Sequence, residues 1–220
     1  MEAGDRMRQG SRKSYHHGDL RNALLKAALA LVRDRRSTHF TLHDVSERVG
    51  VTQSAIYRHF ADLDDLLSTL CRNGFDAFAE ALRQATAGNP DPWQRLRALV
   101  RAHLRFAISN PDYFRIMFDS GLANRRENIA RAQPTFQLLV DTIAEIDGTA
   151  EHAFERAVAI MAAGHGLAAL MLSGQLGGIL NKPDRAARLE ETVTTLIEQG
   201  LAGLNREASA KPREKGRSSR

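Results

Sequence analysis

"TLHDVSERVGVTQSAIYRHF", residues 41–60, joins two short amphipathic stretches through a glycine. Leu42, Val45 and Val49 recur at spacings of three and four, which puts them on one helix face. Thr41 is placed to cap that helix, and Gly50 to end it, because glycine turns left-handed without steric cost. Thr52 is placed to cap a second short helix that carries Ile56 and Phe60 inward. The whole is a helix-turn-helix pattern. Leu42, Val45, Val49, Val51 and Ile56 have the spacing to pack the two helices on each other and on a preceding one, and Ser46 is small enough for close approach.

With those positions committed to packing, Thr52, Gln53, Ser54, Tyr57, Arg58 and His59 are left for the outer face. That set suits a nucleic-acid duplex. The N-terminal end of a recognition helix enters the major groove, where Gln53 and Ser54 would meet base edges. Tyr57 and His59 are long enough to donate to phosphates, and Thr52 and Thr41 offer hydroxyls at helix ends. Arg58 suits either a phosphate or a guanine edge, and the sequence leaves both open.

The distribution of charge agrees. Residues 1–60 carry 11 Lys or Arg against 6 Asp or Glu, whereas residues 61–206 carry 15 against 18. A basic quarter on a mildly acidic body points to a polyanionic partner. "RMRQGSRKSYHH", residues 6–17, belongs to a flexible basic arm (1–17) suited to tracking phosphates or entering a minor groove, and residues 207–220 read as a disordered basic tail. The single cysteine, Cys71, excludes an internal disulfide and fits a reducing compartment. The N-terminus lacks the apolar stretch of a secretory signal.

Apolar spacing by three and four continues through the chain, so the expected fold class is all-α with about nine helices. Leu20, Leu24, Ala27, Ala28 and Leu31 mark a first helix, which Asp19 can cap. Asp62 opens a long fourth helix through Leu66, Leu70, Phe75 and Phe78, closed by "TAGNPDP" at 86–92. Further helices are expected from Trp93 to Ser109, from Pro111 through Phe118, from Leu122 to Ile146 with a kink or restart at Pro134, over 149–176, and from Pro183 to Leu204 after "LGGILNKPD". Residues 157–180 are long and apolar enough to raise a membrane span. Against it stand His165, Ser173, Gln175, five glycines and charged flanks, which suit a buried or dimer-facing helix better.

Residues 18–66 resemble the DNA-binding domain of the TetR family of transcriptional regulators, most specifically in "YRHF" and the acidic "ADLDDLL" that follows. The resemblance implies a helix-turn-helix domain over 18–64 and a helical dimerisation and effector-binding domain over 65–206. One departure is Leu63, where the family commonly carries a phosphate-binding Lys. "YHHGDLR", "PDYFRIMFD" and His165-Gly166 resemble a subgroup with a Trp-x-x-x-His-Gly signature, although the Trp position reads Met161. By resemblance, the last two long helices form a dimer interface, and the dimer binds a near-palindromic DNA operator.

His103, Phe106, Met117, Phe118, Phe136, His165 and Met171 are candidates to line a pocket for a small-molecule effector, with plain core packing the alternative for each. Arg101 and Arg105, one turn apart, read as solvated. His16 and His17 lack acidic or Cys companions, so no metal or cofactor is expected. No phosphate loop, nucleophile elbow or paired carboxylate suggests an enzyme. The expected function is a cytoplasmic, nucleoid-associated regulator, a repressor released by its effector. An activator of the same fold and a helical interaction protein that does not use DNA are the alternatives.

Overall fold

A computed structural model describes residues 17–176 and 183–210, and the described residues hold nine α-helices, one 3-10 turn and no strand. Residues 1–16 of the expected arm (1–17), the stop at residues 177–182 and residues 211–220 of the expected tail (207–220) lie outside them; residue 17 begins the first helix, and residues 207–210, expected to be disordered, continue the last one.

Helices α1 (His17–Arg35), α2 (Leu42–Val49) and α3 (Gln53–Ile56) make the N-terminal unit. Because α1 starts at His17, Asp19 falls inside its first turn and not at its cap. Leu24, Ala28 and Val32 from α1 meet Val45, Ile56 and Phe60, each at most 1% exposed. Burial of such side chains contributes roughly 1.5–3 kcal/mol apiece for the larger ones, which compensates for how short α2 and α3 are. The Arg21 guanidinium covers the Phe60 ring at 4.9 Å.

Thr41 caps α2 in a reciprocal box. Its hydroxyl accepts from the Asp44 amide at 3.2 Å, and the Asp44 carboxylate accepts from the Thr41 amide at 2.7 Å. The Arg35 guanidinium donates to the same carboxylate at 2.7 Å and, with Thr41, holds it well below the usual carboxylate range. Gly50 ends α2 at φ 76°, and its amide donates to the Ser46 carbonyl at 2.9 Å. An L side chain there would be strained. Ser46 is buried and donates to the His43 carbonyl, so its hydroxyl is satisfied at the α2–α3 contact.

Helix α4 (Leu63–Thr86), about 36 Å long at 1.5 Å per residue, runs from this unit into the body. Asp62 caps it, accepting from the Asp65 amide at 2.8 Å. The body adds α5 (Pro92–Ser109), α6 (Pro111–Phe118), a 3-10 turn (Leu122–Asn124), α7 (Arg126–Asp147), α8 (Ala153–Ser173) and α9 (Pro183–Ala210). The helix expected from Leu122 is therefore divided, and α7 proper begins at Arg126. Pro134 neither ends nor restarts α7. It lies on an exposed face, where the carbonyl it frees can turn to water.

Helix α6 packs against both α1 and α4. Arg33 of α1 pairs with the buried Asp112 of α6 at 2.5 Å. Gly74 lets α6 press on α4: a Cβ there would lie 2.7 Å from the Met117 Sδ. On the far side of the body, Arg97 donates twice to Glu198, at 2.6 and 2.9 Å, and Arg101 pairs with Glu190 and Glu191. Arg105 reaches Glu190 at 3.4 Å. Arg101 and Arg105 are thus paired and not merely solvated, because α9 lays an acidic row over α5.

Candidate functional site

The outward surface of the helix-turn-helix follows from what its core removes. Ala55, Ile56 and Phe60 are buried, and Thr52, Gln53, Ser54, Tyr57 and Arg58 are exposed, with His59 half-buried beside them. Only Gln53, Ser54 and their two successors are helical. Tyr57 is the C-cap, and Arg58 and His59 lie in the turn that follows. The six side chains therefore project from one helical turn and the turn after it, and not from one continuous helix.

Thr52 occupies the N-cap position in extended backbone, but its hydroxyl does not cap α3. It bonds the Ser54 hydroxyl at 2.9 Å instead. Among the described residues the Gln53 and Ser54 amides have no partner, whereas the Ala55 amide donates to the Thr52 carbonyl at 3.0 Å. Thr41 differs: its proton is committed to the Asp44 carboxylate at 2.8 Å, so toward a ligand its hydroxyl can only accept. Arg58 makes no ion pair among the described residues, unlike Arg35 and Arg48, which are held by Asp44 and Asp34. Leu63, at the start of α4, packs against the core, which accounts for a non-polar residue there.

The second feature is a cavity of about 330 Å³, open on one side, lined by α4, α5, α7 and α8, with Phe118 of α6 at its wall. Of the candidates from sequence, His103, Phe118, Phe136 and His165 line it. Phe106, Met117 and Met171 do not. Phe106 packs on Phe78 at 5.1 Å, Met117 is buried beneath Gly74, and Met171 joins the cluster between α8 and its neighbours. Phe75, Phe78, Ile160, Met161 and Gly164 also line it and were missed. The pair at i and i+3 on the long fourth helix was the available signal for Phe75 and Phe78.

Aromatic edges build the wall. His103 meets Phe78 edge-on at 5.5 Å, and His165 meets Phe118 edge-on at 4.7 Å and stacks on Phe114 at 4.9 Å. The Nε2 of His103 is buried with no partner among the described residues. Burial, assisted by the neighbouring His165, pushes the His103 imidazole down to about 4, so it is neutral at neutral pH. Burial also lowers His165, with Asp119 opposing. The Cys71 thiol, fully buried in the core, is raised to about 11 by burial, which keeps it protonated at neutral pH.

A third feature is an apolar surface. Helix α8 buries Ala153, Ala157, Ile160, Gly164 and Leu167 on one face and exposes Phe154, Val158, Met161 and Leu170 beside it. Leu196 and Leu204 of α9 are exposed as well, Leu196 at 62%. By length and composition alone α8 would pass as a membrane span, a test that the core helix of a soluble protein also passes.

Known proteins share both parts of this architecture. Residues 24–70 match the bacterial regulatory proteins of the tetR family, and residues 96–196 match the tetracyclin repressor-like C-terminal domain. A protein of unknown function from Rhodococcus sp. RHA1 has a similar structure, with a TM-score of 0.70 at 25% identity, covering 87% of this chain and 98% of that one. The TetR family transcriptional regulator PfmR from Thermus thermophilus shares the fold at TM-score 0.63 and 18% identity, covering 79% and 96%. In sequence, the chain is 25% identical over 126 residues to the HTH-type transcriptional activator FasR of Mycolicibacterium smegmatis. That match takes in 57% of this chain and spans 58% of the length of FasR. With a helix-turn-helix carried on a helical body and both parts matched, the chain belongs to the TetR family of transcriptional regulators, DNA-binding proteins that are not enzymes.

Proposed function

We propose that the protein is a dimeric, ligand-responsive repressor, cytoplasmic and at the nucleoid, that binds a near-palindromic operator and leaves it when a small molecule fills the α4–α8 cavity. The observation that carries the DNA-binding half is the sorting of side chains around α3: the apolar ones turn inward and Thr52, Gln53, Ser54, Tyr57 and Arg58 are exposed. Gln53 and Ser54 read bases, Tyr57 and His59 hold phosphates, and Thr52 offers a hydroxyl and a helix-end amide there. Two copies related by a two-fold axis set two α3 elements in successive major grooves.

The exposed apolar rows of α8 and α9 support pairing of the copies through those helices. The cavity supports release. Its wall includes Phe75 and Phe78 of α4, which leads to the DNA-binding unit, and Phe118 of α6, which is tied to α1 by the Arg33–Asp112 pair. A ligand that binds one arrangement of these helices better than the other shifts the spacing of the two α3 elements. Activation is a second reading, favoured by the name of FasR.

Selection of bound DNA from a random pool gives the operator. Transcription reconstituted on that operator then separates the two readings: a repressor lowers the transcript and an activator raises it. Failure to select any sequence would overturn both.

A further inference from the structure

The chemistry of the cavity narrows what can enter it. Among the described residues no Lys, Arg, Asp or Glu lines it, and its polar side chains are His103, Thr135 and His165. The Thr135 hydroxyl is already satisfied, donating to the Ala132 carbonyl at 2.6 Å. A carboxylate held against this lining would lose part of its hydration with no Lys or Arg on the wall to replace it, which disfavours it. The wall is also flat-sided, with Phe75, Phe78, Phe118 and Phe136 beside the two imidazoles. Rings set edge to face on such a wall gain over an aliphatic body of equal area. An engineered cavity of about 150 Å³ takes up benzene, so one of about 330 Å³ has room for roughly two fused rings.

One polar group borders the cavity, with a ring nitrogen that has almost no accessible surface until the imidazole turns toward a ligand. The His103 Nε2 is buried and unpartnered among the described residues, and the Cδ2 next to it faces α8, where a Cβ added to Gly164 would stand 3.7 Å away. A hydroxyl both donates and accepts, so it can pair with that nitrogen in either tautomer of a neutral ring. We infer that the cavity is a site for a compact, uncharged aromatic molecule of about two rings bearing one hydroxyl, and that His103 Nε2 is the hydrogen-bonding partner of that hydroxyl. The inference rests on the reading of the cavity as the effector site.

Titration calorimetry of the full chain at neutral pH with three probes of one shape tests it: 2-naphthol, 2-methylnaphthalene and 2-naphthoate. A phenol-type hydroxyl stays protonated there and a carboxyl does not. The expected order is 2-naphthol tightest, 2-methylnaphthalene about tenfold weaker for want of the hydrogen bond, and 2-naphthoate weaker still. His103→Phe, which keeps a ring in the wall, should abolish the advantage of 2-naphthol over 2-methylnaphthalene. Gly164→Ala adds only a methyl in ordinary contact with His103, so it should fold normally and weaken both neutral probes by filling the cavity. The inference is overturned if 2-naphthoate binds as tightly as 2-naphthol, if the hydroxyl advantage survives in folded His103→Phe, or if none of the three probes binds. Operator affinity is read in parallel. Binding of 2-naphthol with unchanged operator affinity leaves the site chemistry standing and removes the effector reading. Operator release by an anionic compound that competes at this cavity does the reverse.

Discussion

The surface around α3 and the surface of α8 and α9 are both exposed, and they are chemically opposite. Around α3 the protruding side chains are hydroxyls, an amide, a phenol and a guanidinium, whereas α8 and α9 show Phe154, Val158, Met161, Leu170, Leu196 and Leu204. Both helical regions spend one face on their own core. The difference lies in what the second face is for. A polar face on a basic unit remains hydrated until it meets a polyanion, whereas a row of large apolar side chains gains by meeting its like. The chain thus carries two exposed surfaces of opposite chemistry.

The largest expected effect comes from charging the apolar surface. Leu196→Glu should cost several kcal/mol of association, since both copies would bring a carboxylate into one contact. Because Leu196 is 62% exposed in the single chain, the fold should survive. Sedimentation should then show a monomer, and operator binding should fall with it. A dimer that persists would separate the apolar surface from self-association.

Acid should act on the body through His103. The unfolded chain would bind a proton at His103 near 6.5, but the folded chain binds one only near 4. The stability this imidazole contributes is thus whole above about pH 6.5 and lost as the pH falls toward 4, up to about 3 kcal/mol. Melting curves across that window should slope less in His103→Phe, and substitutions at Gln53 should leave the slope unchanged.

Within the α3 surface, effects should divide by role. Gln53→Ala should change which operator is preferred, by about 1–3 kcal/mol, whereas Tyr57→Ala should weaken all sequences alike. Competition binding against a mutated operator separates these. Equal losses on every sequence for both variants would remove base readout by Gln53.

The smallest effect belongs to the turn between α2 and α3. Gly50 is left-handed with open space around its Cα, so Gly50→Ala should cost only the backbone strain, about 1–2 kcal/mol, measured by denaturant unfolding. It sharpens the comparison by testing α3 presentation with every surface side chain unchanged.

The two surfaces also differed in how far they could be read. Around α3, spacing placed Val45, Ile56 and Phe60 inward and the polar residues outward, and the caps Thr41 and Asp62 were legible because capping is a local exchange of hydrogen bonds. Local competition was not legible: the Thr52 hydroxyl went to Ser54, and α3 closed after one turn. In the body, residue type suggested Phe106 and Met117 as readily as Phe118, since all are adaptable apolar side chains. Which of them borders the cavity depends on how α4, α5, α6 and α8 rotate about one another. Arg101 gave no hint of Glu190 and Glu191, which are some 90 residues away.

Periodicity, caps and breakers are properties of near neighbours, so the sequence by itself determined an all-helical chain, the helix-turn-helix and the polar set around α3. Contacts between distant segments were decided only by tertiary structure. It set Arg33 against the buried Asp112, seated Met117 on Gly74, and enclosed a neutral His103 with its Nε2 unpartnered among the described residues. The physical reason is that desolvation and close approach depend on which helices meet, and spacing along one helix does not encode its neighbours.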